Sequence, residues 1–205
     1  VSINVQTVTE VQIAKFSLSR IGGESIEAFD PPEDSTESHQ VNLWYHHCRR
    51  ETLELYDWSF ARKRLALADD SNVPPDGVWA YRYQYPADAI AIRSLENPAG
   101  RNAPPVPFSI ELPTSPDVKT ILTDIDEAIA IYTANIIQPS LYPSSFVNAF
   151  SLTLAHKLSN AIRGDEAMKE QVLKEYNSMI SLAAVLNQKE GRDHPPREAA
   201  WIEAR

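Results

Sequence analysis

The sequence predicts an α+β fold: a four-helix bundle, a small antiparallel β-sheet inserted between its second and third helices, and an extended C-terminal tail. Three observations predict it. Apolar residues recur every three or four positions towards both ends of the chain, over 8–21, 36–57 and 144–183. Between them, over about 78–134, the period falls to two. Past residue 190, Gly191, Pro195 and Pro196 interrupt any regular element. The expected organisation is one domain over 1–189 and a tail over 190–205.

The first helix is expected over about 6–20. Val8, Val11, Phe16, Leu18 and Ile21 give its apolar side, and Gly22 and Gly23 stop it. Residues 24–37 then hold six acids and no base, with Pro31 and Pro32 among them, and read as an exposed loop. Asp34 with Glu37 is a cap-like start for a second helix over 36–57. Its apolar side is Val41, Trp44, Cys48, Leu55 and Tyr56, with Tyr45 and Leu53 flanking it. Trp44, Trp58, Phe60 and Phe150 are the expected core anchors, because aromatic side chains bury the most area.

Asn72–Gly77 is a turn. After it, Trp79, Tyr81, Tyr83 and Tyr85 alternate with Ala80, Arg82 and Gln84, and Pro86 ends the strand. Ile90 and Ile92 mark a second strand and Phe108–Leu112 a third. Two more fall at 118–123 and 128–133, with Asp124–Glu127 as a hairpin turn between them. The helical period returns with Val147, Phe150, Leu154, Leu158 and Ile162. It continues through Met168, Val172, Tyr176, Ile180 and Ala183. These give helices over about 144–163 and 165–188, packed antiparallel across the tight Gly164–Asp165 connection.

The formal net charge of −9 argues against binding nucleic acid by phosphate neutralisation. An acidic surface repels a polyanion instead, and also keeps a protein in solution. One cysteine, Cys48, excludes an intramolecular disulfide and a cysteine-rich metal site, and suits a reducing compartment. No apolar run is long enough to span a bilayer, and no partner membrane is expected.

Catalytic chemistry finds little purchase. His46, His47 and Cys48 are adjacent, and neighbours on a helix point about 100° apart, so they cannot grip one ion. His39 and His46 share a face but are too few for a structural zinc site. No nucleophile elbow, phosphate-binding loop or dinucleotide fingerprint is present. The carboxylate pairs Glu33–Asp34, Asp69–Asp70 and Asp126–Glu127 read as solvated turns. The aromatic row Trp79–Tyr85 suits sheet core or a subunit contact better than base stacking, which needs a basic groove. Arg49–Arg50 and Arg62–Arg64 read as solvated or ion-paired. The expectation is a protein that is not an enzyme and holds no cofactor and no metal.

Several segments in order carry a resemblance. They are SRIGGESI after the first helix, Trp58-Ser59-Phe60 after the second, and VPPDGVWAYRYQYPADAIAIRSL with its Tyr-Pro turn. VKTILTDIDEAIAIYTANI and LYPSSFVNAFSLTLAHKLSNAI follow. Over roughly 8–188 this set resembles the phage tail tubular protein A family, the head-to-tail adaptors below the portal of short-tailed phages. The resemblance implies a virion protein of the neck, assembled in the host cytoplasm. It implies a ring of identical subunits, commonly twelvefold, between a portal protein and a tail nozzle, with double-stranded DNA passing through. It also implies a C-terminal contact with the portal, for which Arg192, His194, Arg197, Trp201 and Arg205 are the candidates. Asp124, Asp126 and Glu127, or the acidic stretch Glu24–Glu37, are candidates for lining the channel. The competing readings are a binding or regulatory module that forms no ring, and a small hydrolase using Cys48, His47 or a carboxylate pair.

Overall fold

Helix α3 (Ser144–Ile162) is apolar on nearly every side, and the helical layer is built around it. Phe146, Val147, Phe150, Leu154 and Leu158 are all buried, and so are Ser151, Thr153 and Ser159. A helix without a polar face has to sit inside other elements. Helices α1 (Glu10–Arg20) and α2 (Thr36–Leu55) both pack against it. A fourth helix, α4, runs over 170–179 and adds Val172, Tyr176 and Met179 to the same core. The computed structural model describes residues 8–28, 30–70, 72, 74, 77–100, 103–113, 118–162, 167, 170–179 and 181. The Gly164–Asp165 connection and the whole 190–205 segment lie outside the described residues.

Local chemistry sets the helix ends. Thr9 and Gln12 form a reciprocal capping box at the start of α1. At its end Gly22 takes a left-handed φ of 64° and Gly23 N–H donates to the Leu18 carbonyl. Helix α2 is capped by Ser35, whose hydroxyl accepts from Ser38 N–H. The expected Asp34–Glu37 start is therefore corrected by one residue. Asp34 stays in solvent, and the neighbouring Glu33 carboxylate folds back onto the N–H groups of Glu27 and Ala28. The other end of α2 is closed by two side chains. Trp58 Nε1 donates to the Thr52 carbonyl at 2.8 Å, and the Arg93 guanidinium donates to the carbonyls of Leu53, Glu54 and Tyr56. A cation on carbonyls that lack a helical partner suits both hydrogen bonding and the helix dipole.

Among the described residues six strands follow: β1 (Arg62–Ala66), β2 (Tyr81–Gln84), β3 (Ala89–Leu95), β4 (Phe108–Glu111), β5 (Thr120–Thr123) and β6 (Ile129–Ala134). They form two three-stranded antiparallel sheets, ordered β1-β6-β3 and β2-β5-β4. This corrects the single sheet and the hairpin expected at Asp124–Glu127. β5 and β6 belong to different sheets, and residues 124–128 cross between them. A second core lies between the sheets, made by Tyr83, Ile92, Leu95, Ile121, Ala130 and Tyr132. The aromatic row serves this core, with Tyr83 buried, Tyr81 stacked on it and Tyr85 partly buried.

Two of the four expected anchors are fully inside: Trp58 and Phe150. Phe60 is partly buried against Phe146 and Tyr142. Trp44 is also only partly buried, with Lys157 near its ring, and the fully buried ring on α2 is Tyr45, against Phe150. Leu55, expected on the apolar face, is exposed, as is Phe16 on α1. The inward face of α2 is thus turned by about one residue from the expected one, and it follows the side on which α3 lies.

Candidate functional site

The acids Asp124, Asp126 and Glu127 stand exposed where the chain crosses from one sheet to the other. Asp124 Oδ1 accepts from Ala80 N–H at 3.0 Å, which ties the crossing to the segment before β2. Asp126 Oδ1 accepts from Glu127 N–H, and Glu127 adopts φ 51°, a left-handed conformation that turns the chain sharply. Tyr83 Oη donates to the Ile125 carbonyl from below. The corner is an acidic turn whose three carboxylate residues are exposed.

A second acidic surface is the 24–37 segment. Ile26 is its buried anchor, and Lys15 pairs with Glu27 at 2.8 Å. Glu24, Glu27, Asp30 and Asp34 are exposed.

The basic clusters divide. Arg49 is not on the surface: it is 5% exposed and donates to the Ile136 carbonyl at 2.7 Å, beside Tyr142. Arg50 is exposed. Arg62, Lys63 and Arg64 make β1, whose five residues are all exposed. Each basic residue has an acid near: Arg62 with Asp57, Lys63 with Asp88 and Arg64 with Glu96. The Lys63 ammonium, hydrogen-bonded to Asp88, holds that carboxyl below its ordinary range, with Tyr132 adding a second bond. Such exposed pairs orient side chains more than they stabilise a fold. Beside β1 the chain leaves a groove of about 640 Å³, lined by Arg62, Arg64, Glu96, Ile131, Pro104 and Pro105.

The candidate catalytic groups do not converge. His47 and His46 are exposed on α2, while the Cys48 side chain is wholly buried. Burial, with the Glu51 charge second, pushes the thiol up to about 12, so it is a thiol and not a thiolate near neutrality. In the native protein Cys48 is expected to resist a thiol-specific reagent, and to react fully once the chain is unfolded in denaturant. Rapid labelling of the folded protein would contradict the packing of α2 on α3. Among the described residues no group of three His, Cys, Asp or Glu side chains is placed to hold a metal ion. No described helix is long and apolar enough to cross a membrane.

Of the Asp69–Asp70 pair, Asp69 is exposed and Asp70 is not in solvent. Asp70 forms an ion pair with Arg82, the two side chains being 9% and 7% exposed. Arg82 alternates with the tyrosines along β2 and so lies on the other face from Tyr83. The 68–70 segment pairs with the edge of β2, Asp70 N–H donating to the Arg82 carbonyl, which sets the Asp70 carboxylate beside the Arg82 side chain. Arg93 was also unmarked in the sequence as the residue that closes α2. The portal-contact candidates Arg192, His194, Arg197, Trp201 and Arg205 lie outside the described residues. No known family model and no curated protein sequence matches the chain.

Proposed function

We propose that the chain is a structural, non-enzymatic subunit of a phage head-to-tail connector, one copy of a ring set between a portal protein and the tail nozzle. The observation that carries this reading is the ordered set of segments that resembles the adaptor family. Parts of the set fall at junctions between elements, and its last segment is α3 itself. SRIGGESI closes α1, Trp58-Ser59-Phe60 joins α2 to β1, Tyr85-Pro86 separates β2 from β3, and ILTD runs through β5 into the acidic crossing. In this reading the helices close as a four-helix bundle. The 190–205 tail reaches the portal through Arg192, His194, Arg197, Trp201 and Arg205, with Trp201 as the anchor.

The charge fits the role. A commonly twelvefold ring of subunits carrying −9 each makes a strongly acidic collar. Double-stranded DNA would slide through such a collar without being held. Asp124, Asp126 and Glu127 are the side chains proposed to face the channel. The protein would then be found in the virion neck, after assembly in the host cytoplasm.

Mixing the purified chain with portal rings of the same phage tests this. Electron microscopy should show a second ring docked on the portal. A chain that leaves the portal bare and sediments as a monomer beside it would support instead a binding or regulatory module that forms no ring.

A further inference from the structure

Two of the four sheet edges are closed within the chain. The outer edge of β2 is paired by residues 68–70, through Gln84 N–H to the Ala68 carbonyl and Asp70 N–H to the Arg82 carbonyl. β3 is covered by the end of α2 through Arg93 and by Tyr85, whose hydroxyl donates to the Ile90 carbonyl. Among the described residues β1 and β4 remain as terminal strands of their sheets. In β1, Leu67 N–H donates to the Ala128 carbonyl, and the register to β6 runs without a break. Alternation therefore points the peptide groups of Arg64 and Ala66 away from β6. A row of outward N–H and C=O groups on an exposed strand is a template for another strand.

The two open edges differ in character. β1 reads RKRLA, three cations and no acid, while β4 reads FSIE, one acid and no cation. Two copies of β1 paired together would set like charges opposite one another. A cationic edge and an edge that carries an acid complement each other, which suits head-to-tail contact between copies.

We infer that β4 of one copy adds to the β1 edge of the next, so that identical subunits join through a continuous sheet. The inference rests on the ring reading for its geometry. Neighbours in a ring of many subunits are related by a small rotation and keep the same order of layers. The face of β4 that carries Phe108 and Ile110 then continues onto the face of β1 that carries Arg62 and Arg64. Ile110 and Leu112, both exposed in the single chain, come to lie over the groove walled by Ile131, Pro104 and Pro105. Glu111, on the other face, comes beside Lys63.

Cross-linking between copies tests the contact. Two proteins, Ala66→Cys and Ile110→Cys, are mixed across a range of concentrations up to the solubility limit and treated with a short bismaleimide; Cys48 is buried in both. A covalent dimer is expected in the mixture and in neither protein alone. A dimer from one variant by itself, or none in the mixture, overturns the proposal. Glu111→Lys, made in the Ile110→Cys protein, should abolish the cross-link. Lys63→Glu in the partner should restore it, which a merely misfolded variant would not allow. Electron microscopy separates this claim from the connector reading. Portal-docked rings that lack the cross-link leave the connector standing and remove this interface. Cross-linked chains that never dock on a portal do the reverse.

Discussion

Replacing Trp58 by alanine is expected to destabilise the protein by about 3–5 kcal/mol, the range for removing a large buried aromatic. The indole is 1% exposed and touches Tyr56, Phe60 and Phe146 edge-on or tilted. It sits where α2 ends and the β region begins, so the cavity would open between α2, α3 and the 59–61 turn. Its Nε1 donor also holds the Thr52 carbonyl in the last turn of α2. Trp58→Phe separates the two contributions. Most of the packing stays, while the carbonyl loses its donor and part of the space is left empty. That variant should lose roughly 1–3 kcal/mol, the cost of an unsatisfied buried polar group. Urea unfolding followed by far-UV circular dichroism reads both. If Trp58→Ala shifted the midpoint no more than a surface substitution does, the junction would not be the anchor described above.

Trp58 and Phe150 were legible as anchors because bulky aromatics beside helical runs have few places to go. Tyr45 was not, since one residue of rotation on α2 exchanges it with Trp44. Only the position of α3 decides between them, and that is a tertiary fact. The strands were legible from alternation, but their partners were not. A period of two says which residues share a face and nothing about which strand lies alongside. The 120–123 and 129–134 runs looked like a hairpin because an acidic turn joins them. The left-handed Glu127 and the link from Asp124 to Ala80 instead carry the chain into the other sheet. β1 escaped notice for another reason. Three consecutive cations on an edge strand show no alternation, because both faces near that edge meet solvent. Buried Arg49 and Arg82 were hidden by the expectation that arginine stays outside, which fails when a carbonyl or a carboxylate is waiting. Of the two proposed surfaces, the acidic corner was legible as a charge run, whereas the open edges needed the strand order.

Breaking the Arg82–Asp70 pair should rival the loss of Trp58 in its effect. Both side chains are nearly excluded from water, against the face of the β2-β5-β4 sheet that carries Leu122 and Thr120. Removing one partner strands the other as a buried charge, at a cost of about 3–5 kcal/mol. Arg82→Met and Asp70→Leu are each expected to show that loss in denaturant unfolding. The double variant should recover much of it, because an apolar pair of similar bulk leaves no charge to desolvate. The cycle thus predicts strong coupling between neighbours, not two independent losses. Additive losses would mean that each charge finds other partners, and that the pair does not hold the 67–70 segment to β2.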